Sequence, residues 1–146
     1  LVAYNDLSAF KIYLNDVGLL RSMTNLDSRV VIEENRIFEE FKGALTENYV
    51  LQMLLASDII RPNYFTFDNK YEIDYIIQYK NEIIPIEVKS SENINSTSFK
   101  NYNEKFAPKI RIRFSMKNLQ RDGNLINIPL FMAEYIKKFL DEANGA

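Results

Sequence analysis

Two neighbouring apolar runs decide the fold of this chain: residues 71–77 read YEIDYII, and residues 82–89 read EIIPIEVK. Each run is rich in β-branched and aromatic residues, which predicts a buried strand. The residues between the runs include Lys80-Asn81, which favours a tight turn. The sequence therefore predicts an antiparallel hairpin.

Both predicted strands carry charged side chains where a core would hold none. In the hairpin register Asp74 faces Glu87 and Glu72 faces Lys89, and strand alternation places Glu72 and Asp74 on one face. Two facing carboxylates repel each other, and burial adds to the cost of their charge. A divalent cation, Lys89 or a shared proton would remove that penalty.

Two interpretations of these charges stay open. The first is a metal site in which Asp74 and Glu87 bind Mg²⁺, which takes oxygen ligands and keeps several waters. Lys89 would then orient a water or stabilise charge developing at phosphorus. The second is a solvated ion-pair cluster on an exposed sheet face. Ile76 and Pro85 continue the charged faces, whereas a plain solvent face would be more evenly polar.

Composition indicates one ordinary globular domain: 146 residues, 47% hydrophobic and 26% charged. The chain has no histidine and no cysteine, which excludes Ser-His-Asp triads, thiol nucleophiles and zinc clusters. It also lacks a Gly-rich phosphate loop, so we expect no ATPase site here. A cysteine-free chain with no apolar membrane span and no signal peptide fits the cytoplasm. The first residue is Leu rather than Met, which indicates a fragment of a longer protein.

The remaining elements indicate an α/β domain with a mixed sheet flanked by helices. The long helix has an apolar stripe at helical spacing, and Glu47 interrupts this stripe on the core side. The other predicted elements are a short strand within 10–20 turning at Asp16 and Gly18, the long helix over 33–56, a strand from Tyr64, a helix from Ser96–Ser98 to Phe106, a strand over 109–115, and a last helix starting at Pro129 with Met132, Tyr135, Ile136, Phe139 and Leu140 buried.

Basic residues mark a candidate nucleic-acid-binding surface. The formal net charge is −2, so binding to nucleic acid would depend on a local patch. In the predicted strand over 109–115, Lys109, Arg111 and Arg113 alternate with apolar residues and point outward. A solvated strand face, or an edge strand protected by charge, remains the alternative.

The element order α-β-β-β-α-β resembles the core of the restriction-endonuclease-like superfamily, whose signature is PD-(D/E)xK. In that resemblance Glu47 corresponds to the acid on the first helix, Asp74 to the acid on the second strand, and Glu87-Val88-Lys89 to the third-strand motif. The proline before the signature's Asp is replaced by Ile73. The resemblance implies a magnesium-dependent endonuclease with Glu47 as a third acid.

Several spaced motifs resemble one family more closely, the C-terminal domain of unknown function of bacterial and archaeal AAA+-type ATPases. These motifs are Lys11-x-Tyr13-x-x-Asp16-x-Gly18-Leu19, Gly43-x-Leu45-x-Glu47-Asn48, Glu72-Ile73-Asp74 and Pro85-Ile86-Glu87-Val88-Lys89-Ser90. The resemblance implies an N-terminal P-loop ATPase module in the same parent chain. We expect residues 1–30 to be an extension for docking and residues 31–146 to be one compact nuclease-like domain.

Two functions from different classes follow. The first is metal-dependent hydrolysis of DNA phosphodiesters beside an ATPase motor, with Asp74, Glu87 and Glu47 around Mg²⁺ and Lys89 at the attacking water. The second is a non-catalytic module that docks to the ATPase, oligomerises it or recognises a target protein. In the second case the acids and the lysine form a satisfied polar network.

Overall fold

The computed structural model describes residues 8–24, 36–59 and 62–145 of the chain. Six strands form one mixed sheet, and helices lie on both of its faces. The strands are β1 (Asn63–Phe67), β2 (Tyr71–Tyr79), β3 (Glu82–Val88), β4 (Arg111–Ser115), β5 (Gln120–Asp122) and β6 (Leu125–Pro129). The helices are α1 (Val17–Met23), α2 (Arg36–Ala56), α3 (Thr97–Phe106) and α4 (Ile136–Asn144), with a 3₁₀ segment over Leu130–Tyr135.

The sheet has the strand order β1-β2-β3-β4-β6-β5. Strands β1, β2 and β3 are antiparallel neighbours, β4 is parallel to β3 and β6, and β5 is antiparallel to β6. The predicted α/β class with a mixed sheet is confirmed. The predicted hairpin register is also observed, because Tyr75 pairs with Ile86 and Tyr79 pairs with Glu82.

Two hydrophobic cores cover the two faces of the sheet. The larger contains Val50 and Leu54 of α2 together with Ile136 and Leu140 of α4. The smaller contains Phe99 and Tyr102 of α3, packed with Phe67, Ile73 and Ile76. Adjacent strand residues such as Ile76 and Ile77 belong to different cores, as expected when successive side chains point to opposite faces.

A β-bulge interrupts β2 at the candidate acid. Asn63 pairs with Ile76 and Phe65 pairs with Ile73, so two steps along β1 correspond to three steps along β2. Because of the extra residue, Ile73 and Ile76 pack into the same core, while Tyr75 packs into the other. The predicted strict alternation, which placed Glu72 and Asp74 on one face, is therefore wrong.

The segment over 10–20 does not form the predicted strand. Residues 9–14 have no regular secondary structure, and α1 begins at Val17 after Asp16, whose side chain accepts a hydrogen bond from the Leu19 N–H at 2.8 Å. Such a cap satisfies a free N–H in the first helical turn. A Cβ on Gly18 would lie 2.9 Å from the same Asp16 oxygen, so the Asp16-x-Gly18 pair is explained by the cap.

Asn48 attaches the N-terminal segment to α2. Its side-chain Oδ1 accepts from the Leu14 N–H at 2.9 Å, and its Nδ2 donates to the Leu14 carbonyl at 2.9 Å. Asn48 is 2% exposed, so these bonds are shielded from water. The domain boundary predicted between residues 30 and 31 lies outside the described residues and stays a prediction.

The C-terminal part departs from prediction in two ways. The strand pair β5 and β6 was not predicted, and Pro129 ends β6 rather than starting a helix. The 3₁₀ segment follows, and α4 begins only at Ile136. Tyr135, the last residue of the 3₁₀ segment, was predicted to be buried but is 53% exposed. Ile136, Phe139 and Leu140 of α4 are buried as predicted. Among the described helices, none is both long and apolar enough to cross a membrane.

Replacement of Asn48 by alanine tests the attachment of the N-terminal segment. Asn48→Ala leaves the partly buried Leu14 amide and carbonyl without their side-chain partners, so we expect a loss of about 1–3 kcal/mol in the free energy of unfolding. Asn118→Ala, at an exposed position, should change that free energy by less than about 0.5 kcal/mol. Urea denaturation measures both, and equal effects of the two substitutions would contradict this account.

Candidate functional site

The candidate site lies where the bulge of β2 meets the end of β3. The bulge carries Asp74, while β3 carries Glu87 and is followed directly by Lys89. Helix α2 brings Glu47 from the face of the larger core. The four residues predicted from the sequence thus come from three elements and lie near the end of β3, with Glu47 approaching from the face of the larger core.

The Asp74 side chain, rather than a backbone carbonyl, accepts the hydrogen bond of a backbone N–H of the neighbouring strand. Its Oδ2 accepts a hydrogen bond from the Val88 N–H at 2.7 Å. Burial, followed by the negative charges of Glu87 and Glu47, raises the pKa of Asp74 from 3.8 to about 7, against the opposing effects of the Val88 N–H and Lys89. The carboxyl group is therefore both fixed in place and easily protonated near neutral pH.

Glu87 forms a close ion pair with Lys89. The Lys89 Nζ lies 2.6 Å from Glu87 Oε1, and the Glu87 side chain is only 5% exposed. The two side chains share one face of β3, as predicted from their spacing. Removal of either partner would leave a buried charge uncompensated, which is strongly destabilising.

Glu47 stands closer to the N-terminal segment than the sequence indicated. Tyr13 donates to Glu47 Oε2 at 3.4 Å, and the Tyr75 hydroxyl donates to the Glu47 carbonyl at 2.9 Å. Burial raises the pKa of Glu47, Lys11 opposes that rise, and Glu72 and Glu87 add to it. The pKa of Glu47 therefore depends on both Lys11 and Glu87.

Lys11 was missed as a member of this charge cluster. Its Nζ forms an ion pair with Glu72 and lies 3.9 Å from Glu47 Oε2. Burial lowers the pKa of Lys11, but its hydrogen bond to Glu72 and the nearby Glu47 more than offset this effect and raise it. The predicted pairing of Glu72 with Lys89 is not observed, because Glu72 pairs with Lys11 and Lys89 pairs with Glu87. The signal was present in the motif Lys11-x-Tyr13, whose two side chains both reach Glu47.

The acids fit a magnesium ion in part. Asp74 and Glu87 are close enough to raise the pKa of Asp74, and two carboxylates suffice for an ion that keeps its waters. In the described parts of the chain, however, no three acidic side chains form a cluster ready to hold a metal. The role of Glu47 as a third ligand stays a prediction.

The three basic residues do not share one environment. Lys109 is exposed and forms an ion pair with Glu82. The Arg111 Nε donates to Asn124 Oδ1 at 3.0 Å, and the Arg111 and Arg113 guanidinium carbons lie 5.2 and 5.8 Å from the Phe99 ring centroid. The predicted inward burial of Ile110, Ile112 and Phe114 is observed. Binding of nucleic acid by this face stays a prediction.

Comparison with known proteins gives one result. A family model described as a domain of unknown function, DUF4143, matches residues 42–131. That range contains Glu47, Asp74, Glu87 and Lys89. Neither the curated proteins nor the solved structures gave a match.

Asp74 should make stability depend on pH. An acid whose pKa is higher in the folded state binds its proton more tightly there, so the free energy of unfolding falls as pH rises from about 4 to about 7. Asp74→Asn keeps an oxygen for the Val88 N–H and removes the titration. Urea unfolding at pH 5 and at pH 8 measures this dependence. Between these two pH values, we expect the free energy of unfolding of the wild type to fall by about 1–3 kcal/mol more than that of Asp74→Asn.

The matched control for this pH dependence is Asp122→Asn at an exposed position in β5. It should follow the wild-type pH profile, since its carboxyl group is solvated. The account of Asp74 would be contradicted if Asp74→Asn retained the wild-type slope.

Two substitutions should move the pKa of Glu47 in opposite directions. Lys11→Met removes the strongest influence that lowers the pKa of Glu47, so we expect that pKa to rise. Glu72→Gln removes a repelling charge and frees Lys11 to approach Glu47, so we expect the pKa of Glu47 to fall. Carbon-13 NMR of the glutamate carboxyl groups against pH measures both. A shift of the same sign in both variants would refute the cluster.

Proposed function

The chain belongs to the DUF4143 family of domains of unknown function, and on that premise we propose that its charge cluster is a PD-(D/E)xK-type site for magnesium-dependent hydrolysis of DNA phosphodiesters. In this proposal the domain is the C-terminal part of an AAA+-type ATPase. A P-loop module of the same parent chain would supply the ATPase activity and deliver the DNA.

The observation that carries the proposal is a pair of acids on neighbouring strands, the half-buried Asp74 and the buried Glu87. Asp74 and Glu87 repel each other in a place where hydrophobic side chains would stabilise the fold more. Lys89 neutralises only one negative charge. A carboxyl group whose pKa is raised as far as that of Asp74 is typical of functional sites, because chemistry requires charges that a core would exclude.

Each residue has a distinct part in the proposed reaction. Asp74 and Glu87 would hold Mg²⁺, which when bound supplies charge stabilisation at the phosphoryl group and acidifies a water. Lys89, fixed by Glu87, would orient the attacking water and donate to a phosphoryl oxygen. Asp74 is held by the Val88 N–H, so its free carboxylate edge keeps one direction. Glu47 would contribute at longer range, through a water.

The order of elements supports the same proposal. Helix α2 is followed by β1, β2, β3, α3 and β4, which is the order α-β-β-β-α-β of the restriction-endonuclease-like core. The acids also occupy the expected elements: Glu47 on the helix, Asp74 on the second strand and Glu87 on the third. This agreement supports the fold assignment, while activity depends on the site itself.

A second candidate is a non-catalytic module that docks to the ATPase or oligomerises it. One observation favours it: Phe10 and Ile12 are 73% and 83% exposed on the N-terminal segment, although both are large and apolar. In this alternative the charge cluster anchors that segment through Lys11, and no phosphodiester is cut.

A cleavage assay separates the two candidates. The protein is incubated with single-stranded, duplex and branched DNA in Mg²⁺ or Mn²⁺, with EDTA as the metal-free control. We expect cutting that falls about 100-fold or more in Lys89→Ala, because charge stabilisation at the phosphoryl group is lost. Lys138→Ala, an exposed lysine of α4, should retain wild-type activity.

Loss of metal binding accompanies loss of cutting in this proposal. Calorimetry should therefore detect Mn²⁺ binding in the wild type and none in Glu87→Gln. If the wild type neither cuts DNA nor binds Mn²⁺, the nuclease proposal fails and the docking module becomes the better account.

A further inference from the structure

Arg113 lies next to the candidate site on β4. On β4 it pairs in register with Glu87 of β3, so the two side chains lie on the same face of the parallel pair. Arg113 is half-buried beneath α3, with its guanidinium carbon 5.8 Å from the centroid of the Phe99 ring. The nearest acid is thus a proposed metal ligand.

The Nε of Arg113 is buried and has no acceptor among the described residues. Glu87 is the negative charge that acts on the guanidinium, but the ion pair that Glu87 forms is with Lys89, at 2.6 Å. A guanidinium is always charged and carries five donors, so partial burial without an acceptor is unfavourable.

Arg111 provides the internal comparison. It lies two residues earlier on the same face of β4 and stacks on the same Phe99 ring. Its Nε is satisfied by Asn124, whose own Nδ2 donates to Asn103 and to the Pro108 carbonyl. A network of protein groups therefore fixes Arg111, while the Nε of Arg113 has no such acceptor among the described residues.

We propose that Arg113, supported by Arg111, binds a phosphate group beside Glu87 and Lys89. A planar guanidinium matches two oxygens of a phosphate, and Arg111 and Lys89 add two positive charges beside the acids Glu87 and Asp74. The phosphate of a nucleic-acid backbone and a free phosphate share this chemistry. The inference deepens the proposed nuclease function, but the phosphate site itself requires neither a metal ion nor hydrolysis.

The direct test follows the Arg113 Nε–H signal by nitrogen-15 NMR in EDTA. Inorganic phosphate and a 5′-phosphorylated thymidine dinucleotide are titrated separately into the full chain. The signal is assigned by its absence in Arg113→Lys, which keeps the charge and lacks this group. We expect each ligand to shift the signal with a dissociation constant in the millimolar range.

Variants separate a specific site from general attraction. Arg113→Gln should weaken phosphate binding about tenfold or more, and Arg113→Lys should weaken it less, because a lysine keeps the charge but loses the paired donors. Arg21→Gln removes the same charge from an exposed position of α1 and should change binding less than about twofold. Circular dichroism checks that each variant is folded.

The outcomes for the phosphate site and for the nuclease are distinguishable. Phosphate binding that depends on Arg113, without metal-dependent cutting, supports the site and overturns the nuclease. Binding of inorganic phosphate without the dinucleotide supports the site and assigns it to free phosphate. Equal weakening in Arg113→Gln and Arg21→Gln, or an Nε signal that no ligand moves, overturns the site, even if DNA is cut.

Discussion

The hydrogen bond from the Val88 N–H to the Asp74 carboxylate is the contact on which the site depends. The backbone pairing of β2 with β3 runs from Tyr79 and Glu82 to Tyr75 and Ile86, so the Val88 N–H lies beyond it, and a buried N–H without an acceptor is costly. Asp74 supplies that acceptor from its side chain. The same bond therefore completes the sheet and fixes an acid beside Glu87.

The surrounding fold stabilises a charge arrangement that would not be stable alone. The larger core packs both helices against the sheet, and the smaller core holds α3 over β1 and β2. Side chains on packed strands lose little further freedom when they form a site, so their relative positions are well defined. The unfavourable burial of Asp74 and Glu87 is tolerated because it is local, while apolar burial extends over the whole sheet.

The sequence could predict the parts of the structure that depend on local pattern. The hairpin register followed from two apolar runs and a short turn, and the acids were identified because they broke those runs. Strict alternation failed at Asp74, since a bulge depends on how β1 pairs with β2 and leaves no local signal. The segment over 10–20 predicts a strand that turns at Asp16 and Gly18, but the Asp16 side chain caps a helix that begins at Val17. Lys11 reaches an acid 61 residues away in sequence, and such a contact requires the tertiary fold.

Side chains of the N-terminal segment point alternately to solvent and to the charge cluster, which links its outer surface to the acids. Phe10 and Ile12 face solvent, whereas Lys11 and Tyr13 between and beside them face the acids of the sheet. Because one short stretch of backbone carries both sets, the outward pair cannot be displaced without moving the ammonium group on the inner side. The two hydrogen bonds of Asn48 hold this stretch at its C-terminal end, Leu14. A partner that displaced Phe10 and Ile12 would therefore also change the charges that surround Glu47 and Glu72.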